Sequence, residues 1–82
     1  MKVLKDTIPM MGSEDYKERF KAEYDQLEIR IRKLTGMLSA WEVGDLSFRP
    51  ICSYDLLKAQ LNAMETYAYL LRERAKIEGI GL

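Results

Sequence analysis

The sequence predicts an all-α protein in which two long helices form an antiparallel hairpin and assemble into an oligomeric helical bundle. Two stretches, at about residues 14–42 and 53–78, carry apolar residues at alternating intervals of four and three, which is typical of helices packed on other helices. The stretches have similar lengths and are separated by about ten residues, so the second helix can return alongside the first. The apolar stripe of the second helix is too broad for one partner helix, which predicts a homo-oligomer.

Residues 1–12 are predicted to form an N-terminal arm ahead of the hairpin. Apolar residues such as Ile8 and Met10 make the arm too hydrophobic for a disordered tail, whereas Pro9 is expected to prevent a helix from continuing through it. Two interpretations remain open for the arm. It is either a frayed terminus or an extended segment or short turn that folds over the hairpin or over a neighbouring subunit.

Residues 13–42 are predicted to form the first long helix. Either Ser13 or Asp15 can cap it, and Asp15 followed three residues later by Glu18 has the form of a capping box. The apolar residues of this helix form a narrow heptad seam, with charged residues between them. The members of this inner seam are Phe20, Tyr24, Leu27, Ile31, Leu34, Leu38 and Trp41.

Residues 43–52 form the connection, in which Pro50 disfavours helical structure at the residue before it. The apolar side chains of this segment are predicted to tuck against the helix ends because they are too hydrophobic for a free loop; they are Leu46, Phe48 and Ile51. Cys52 is predicted to be a small buried hydrophobic residue rather than a reactive thiol.

Residues 53–78 are predicted to form the second long helix, with Ser53 as its cap, Gly79 as its stop and residues 79–82 as a short tail. Its packing seam consists of Leu57, Leu61, Met64, Ala68, Leu71 and Ala75. Further apolar residues widen the stripe, and we expect them to form the interface between subunits. They are Leu56, Ala63, Tyr67, Leu70 and Ile77.

Composition argues against several classes of function. The 82 residues include 13 basic and 13 acidic side chains, and this balance argues against general nucleic-acid binding. Histidine is absent and Cys52 is the single cysteine, so we expect neither an enzyme nor a metal site, cofactor or internal disulfide. With no signal peptide and no apolar run of about 18 residues, the sequence favours a cytoplasmic protein that does not contact membranes.

Basic and aromatic residues alternate in the first long helix. Tyr16, Phe20 and Tyr24 are interspersed with Lys17, Arg19 and Lys21, and Arg30, Arg32 and Lys33 follow. Arginine forks bind phosphate and aromatic faces stack on bases, so this pattern is compatible with a nucleotide pocket where helices of different subunits meet. The alternative is a solvated helix face with ion pairs such as Glu28 with Arg32.

The run DYKERFKAEYDQLEIRIRKLTGML and the later run LLKAQLNAMETYAYLLRERAKIEGI resemble short helical-hairpin proteins of phages and prophages of Gram-positive bacteria. More remotely, the chain is similar to the hairpin domain of phage anti-CBASS and anti-Thoeris sponges, which oligomerise and sequester cyclic-nucleotide immune signals. The shared features are Tyr16 with Lys17, the segment from Ile31 to Gly36, and a second helix containing Leu57, Gln60, Met64 and Arg72.

The resemblance implies a non-enzymatic protein that binds a cyclic nucleotide in the host cytoplasm. In the sponges a tyrosine stacks on the base and a first-helix lysine contacts phosphate, which implies such roles for Tyr16 and for Arg32 or Lys33; Arg19 completes the predicted ligand-binding set. The alternative function is a small protein–protein interaction module, either an inhibitor or an adaptor, without a small-molecule ligand.

Overall fold

The fold is entirely helical over residues 2–82, which are the residues described by the computed structural model; Met1 of the predicted arm lies outside them. A 3-10 turn at Leu4–Thr7 leads directly into a short helix α1, Ile8–Met11. The two long helices are α2, Tyr16–Glu42, and α3, Tyr54–Glu78. The described chain measures 43 × 24 × 20 Å, which reflects the length of these two helices.

The ends of α2 are formed by specific side-chain and backbone hydrogen bonds. Asp15 is the N-cap residue, and its carboxylate accepts a hydrogen bond of 2.9 Å from the Lys17 amide. At the other end, Gly44 adopts a left-handed conformation with φ of 73°, and the Asp45 amide donates to the Ala40 carbonyl at 2.8 Å. This is the pattern of a Schellman motif, and it turns the chain out of the helix.

The ends of α3 are capped in the same way as those of α2. The Ser53 hydroxyl accepts a 3.2 Å hydrogen bond from the Leu56 amide, as the sequence predicted for the cap. Gly79 is left-handed with φ of 72°, and the Ile80 amide donates to the Ala75 carbonyl at 2.8 Å. This turn brings the Ile80 side chain back onto the hairpin, where it is buried beside Ala75 in the core.

The two long helices run antiparallel. Arg74, near the end of α3, lies over the ring of Phe20, near the start of α2, at 5.0 Å from the ring centroid. At the opposite end of the hairpin, the Trp41 and Tyr54 rings pack edge to face with centroids 5.6 Å apart. Between these contacts lies the core, which consists of Phe20, Leu27, Ala68, Leu71, Ala75 and Ile80, with Tyr24, Ile31 and Met64 packed against it.

The N-terminal arm is helical and packs on α2, so the expectation that Pro9 excludes helix there is wrong. Pro9 lies in the first turn of α1, where a missing amide breaks no helical hydrogen bond. The arm covers two residues of α2 that the inner seam does not include, Ala22 and Ile29, which are 0% and 2% exposed. Within residues 2–82 the arm contacts α2 but not α3, so α2 is the middle layer of three.

Polar contacts hold the arm in place. Lys2 forms an ion pair of 2.7 Å with Asp25, and the Arg32 guanidinium donates to the Lys2 carbonyl at 3.2 Å. The Gln26 amide donates to the hydroxyl of the fully buried Thr7 at 2.9 Å. The Thr7 hydroxyl also donates to the Leu4 carbonyl at 2.7 Å, so the Gln26 bond links a buried, already ordered group of the arm to α2, whereas the more exposed Lys2–Asp25 pair is screened by solvent.

The connection does not pack against the helix ends in the predicted way. Phe48 and Ile51 are exposed, and Cys52 is exposed rather than buried. At the two helix ends the Trp41 and Tyr54 rings pack against each other, which gives them an apolar contact without the connection. Of the three apolar residues predicted to pack there, Leu46 is half-buried, whereas Phe48 and Ile51 face outward.

Candidate ligand-binding site

Two of the four predicted ligand-binding residues lie together in the first turns of α2. The Tyr16 ring is about half exposed, at 48%, and Arg19 is exposed one turn later. The Arg19 guanidinium donates to the Ser13 carbonyl at 2.6 Å, which fixes its position but leaves its remaining N–H groups available. An exposed aromatic ring beside a positioned arginine is a suitable arrangement for a planar, anionic ligand.

The other two predicted residues lie far along the same helix. Arg32 follows Arg19 by 13 residues, which corresponds to about 20 Å at 1.5 Å per residue. Arg32 is on the side of α2 that carries the arm, where it donates to the Lys2 carbonyl, and Lys33 is exposed beside it. Within one chain the fold therefore does not bring the four residues into a single site.

The contacts between α2 and α3 distinguish the two open faces of the hairpin. On one face, the Tyr67 hydroxyl donates to the Glu23 carboxylate. On the other face, Arg72 donates to the Tyr24 hydroxyl at 3.2 Å and lies 3.9 Å from the Glu28 carboxylate. We name these the Tyr67 face and the Arg72 face.

Hydrogen bonds at these contacts shift the pKa values of the groups involved. The hydrogen bond to Glu23, supported by partial burial and by the negative charge of Glu23, raises the pKa of Tyr67. The hydrogen bond to Tyr24 raises the pKa of Arg72, so this side chain stays cationic. At the Trp41 end, the Glu42 carboxylate raises the pKa of Tyr54 through a hydrogen bond.

The five predicted interface residues of α3 are all exposed on the Tyr67 face. Four of them recur every seventh residue and form a continuous line, which we name the outer seam: Leu56, Ala63, Leu70 and Ile77. The leucines and the isoleucine are 59%, 51% and 86% exposed, in chain order. Tyr67 lies beside the seam with its ring 43% exposed, although its hydroxyl is engaged within the chain by Glu23.

Tyr16 belongs to the same side of the molecule as the outer seam. It precedes Glu23 by seven residues, or two helical turns, so both side chains project from α2 in the same direction. Glu23 is the residue that contacts Tyr67. The aromatic start of α2 and the apolar line of α3 therefore form one continuous face.

The connection forms a shallow concave surface that was not among the sequence predictions. Two shallow cavities of about 480 and 430 Å³ share the segment from Phe48 to Cys52; Trp41 lines one, and Met37 with Leu57 lines the other. We name this region the tip basin. It combines the exposed Phe48 ring with the exposed Arg49 side chain. The signal for this surface in the sequence is the adjacent Phe-Arg-Pro, whose apolar residues are equally typical of packing against helix ends.

Two further features were sought in the described residues, a cluster of metal ligands and a membrane-spanning helix. Among residues 2–82, no three acidic or cysteine side chains lie close enough together to hold a metal ion. No helix in the same range is long and apolar enough to cross a membrane. The exposed side chains described above, Tyr16 with Arg19 and Phe48 with Arg49, belong to a small helical-hairpin protein.

A family model described as Sequestin matches residues 14–77, which include all of α2 and all but the last residue of α3. The chain belongs to the Sequestin family. The family name indicates a protein that sequesters another molecule, that is, one that binds rather than catalyses. No curated protein and no solved structure is significantly similar to the chain.

Proposed function

We propose that the chain is a non-enzymatic oligomeric binding protein that sequesters a cyclic-nucleotide signal of bacterial immunity. The observation that carries the proposal is the family match across both long helices, since the family name describes sequestration. Together with the resemblance to phage sponges, this favours a counter-defence protein of a phage or prophage that acts in the host cytoplasm. Sequestration requires affinity and no catalytic group, which suits a chain without histidine.

The start of α2 provides the chemistry for a nucleotide. The half-exposed Tyr16 ring offers a face for a base, an interaction worth about 1–3 kcal/mol per stacked base. Arg19 lies one turn away, and its guanidinium can bind phosphate oxygens through two parallel hydrogen bonds. Its bond to the Ser13 carbonyl restricts its motion before a ligand arrives, which lowers the entropic cost of binding.

Arg32 and Lys33 do not share a ligand site with Tyr16 and Arg19 within one chain. They project from the side of α2 that carries the arm, so they meet a ligand only where that side faces another hairpin in a larger assembly. To bind a ligand, Arg32 must also replace its hydrogen bond to the Lys2 carbonyl with one to the ligand.

A thermal-shift experiment tests the proposal with cyclic di-AMP, cyclic GMP–AMP and cyclic ADP-ribose as probes. A probe at 100 times its Kd stabilises the folded chain by about 2.7 kcal/mol. For a domain of this size the melting temperature then rises by about 10 °C or more. Loss of a stacking contact of about 1–3 kcal/mol raises the Kd at least about fivefold, so Tyr16→Ala should clearly reduce the rise at the same probe concentration. Tyr69→Ala is the matched control, because Tyr69 is similarly exposed, at 52%, but lies on α3 away from Tyr16. The absence of a shift with every probe would contradict the proposal.

A second candidate is a protein–protein interaction module, which the exposure of the outer seam favours. In this case the seam binds a host or phage protein, and the purified chain is a monomer that responds to none of the nucleotides. Leu70→Glu places a charge at the middle of the seam and should abolish capture of a specific partner from host lysate. Equal recovery of the same partner by both forms would exclude this face.

A further inference from the structure

The outer seam has the spacing of an interface between helices. Leu56, Ala63, Leu70 and Ile77 recur every seven residues over a rise of about 31 Å, which is nearly the whole of α3. A strict seven-residue interval is the repeat that keeps a line of side chains facing one neighbouring helix. A second copy of the chain presents the same long seam, so the two seams can pair along their whole length.

The side chains along the seam favour an antiparallel pair of α3 helices. With the two-fold axis between Thr66 and Tyr67, Leu56 faces the partner's Ile77, and the small Ala63 faces the larger side chain of the partner's Leu70. In a parallel pair, Ala63 faces the partner's Ala63, and two such small side chains leave a void. Arg74, one turn after Leu70, then faces the partner's Arg74, and the two positive charges repel each other.

The antiparallel arrangement has a consequence at each end of the dimer. Phe20 lies beside Arg74 within the hairpin, so Tyr16, one turn earlier in α2, is level with the end of α3 near Ile77. Ile77 in turn faces the partner's Leu56, and the residue after it in the sequence, Leu57, lines the tip basin. Tyr16 and the partner's tip basin are therefore brought to the same end of the same face.

From this geometry we infer that the ligand site is shared: Tyr16 and Arg19 of one subunit meet Phe48 and Arg49 of the other, twice in each antiparallel dimer. This inference rests on the proposed function. Each site has two aromatic rings and two guanidinium groups, contributed equally by the two chains. Two rings enclose a planar base between them, and two arginines neutralise two phosphates, so a ligand with more than one phosphate fits the site better than a nucleoside.

Cross-linking tests the orientation of the dimer without any ligand. In a Cys52→Ser background, a chain with Ala63→Cys is mixed with a chain of different mass that carries Leu70→Cys. An antiparallel dimer gives disulfide-linked heterodimers. The Ala63→Cys chain alone should give none, since its two thiols are about 10 Å apart along the seam, beyond the reach of a disulfide. Cross-linking of Ala63→Cys with itself, or none in the mixture, would overturn the arrangement.

Complementation then tests whether the site is shared. One chain carries Tyr16→Ala with Arg19→Ala, the other carries Phe48→Ala with Arg49→Ala, and each alone should bind no cyclic GMP–AMP or other responsive probe. In an equal mixture, half of the dimers are mixed and each has one of its two sites intact. About a quarter of the wild-type capacity should therefore return in a titration calorimeter. All four residues are exposed or half-exposed, and circular dichroism verifies that each variant remains helical.

The outcomes separate this inference from the proposed function. If the wild-type chain binds none of the probes, the proposed function fails, while the cross-linking result still decides the orientation of the dimer. If the wild-type chain binds a probe but the mixture recovers no capacity, or if the chain with Phe48→Ala and Arg49→Ala binds normally by itself, the shared site is wrong and the proposed function stands.

Discussion

Adjacent residues of α3 provide a test that separates folding from assembly. Leu71 is fully buried in the hairpin core, whereas Leu70, one residue earlier, is 51% exposed at the middle of the outer seam. Replacing each by alanine removes the same atoms from two different environments. We expect Leu71→Ala to weaken the fold of the monomer and Leu70→Ala to weaken the proposed dimer.

The magnitudes follow from burial. Full burial of a leucine side chain is worth about 2 kcal/mol, so covering the exposed half of Leu70 in a dimer contributes about 1 kcal/mol per subunit. Both subunits lose this contribution in Leu70→Ala, and a loss of about 2 kcal/mol raises the dimer Kd about 30-fold. Leu71→Ala instead leaves a cavity in the core and should cost about 2–5 kcal/mol of unfolding free energy.

Two measurements distinguish the effects. Sedimentation velocity over a range of concentrations gives the dimer Kd, and urea unfolding below that Kd gives the stability of the monomer. Leu70→Ala should raise the dimer Kd and lower the unfolding free energy of the monomer by no more than about 1 kcal/mol, the value of its already buried half. An unchanged Kd in Leu70→Ala, or a wild-type chain that stays monomeric at the highest concentration, would refute the assignment of the outer seam as a subunit interface.

Three further predictions concern the fold around the site. Gly79→Ala meets no neighbouring atom but forces a side chain into the left-handed region, so it should cost about 1 kcal/mol in thermal unfolding. Gln26→Ala removes the hydrogen bond that links the buried Thr7 hydroxyl to α2 and leaves that hydroxyl bonded to the Leu4 carbonyl within the arm, so amide exchange in the arm should accelerate while α3 stays protected. Tyr67→Phe removes the hydrogen bond to Glu23. Because that bond raises the tyrosine pKa above 10, wild type should exceed the variant in stability below pH 10 and lose its advantage as pH rises further, as measured by urea unfolding.

The hairpin itself could be predicted from the sequence because its signals are local. The inner seam includes Phe20, Leu27 and Leu38, and all three are buried. Ser53 and Gly79, the predicted cap and stop of α3, have the hydrogen bond and the left-handed conformation that those roles require. Periodicity and caps act within a few residues of the chain, so one sequence is enough to recognise them.

The arm and the tip basin could not be predicted because they depend on contacts distant in sequence. Pro9 is incompatible with the interior of a helix but not with its first turn, and no local signal fixed where α1 begins. Ala22 and Ile29 form a second apolar line on α2, yet only the folded arm shows what covers them. At the other end, Trp41 packs on Tyr54 while Phe48 faces solvent, an arrangement that depends on contacts between residues distant in sequence.

The arm bears on the type of assembly that the hairpin can form. Without it, α2 would expose Ala22 and Ile29 on the side opposite α3, and the chain would have apolar surfaces in two directions. Surfaces in two directions allow head-to-tail contacts that continue into open polymers, whereas one self-complementary face closes as a two-fold dimer. The arm, which the hydrogen bond between Gln26 and Thr7 links to α2, covers the first surface, while the outer seam of α3 stays exposed. We therefore expect a chain whose arm cannot fold to form larger assemblies than the proposed dimer.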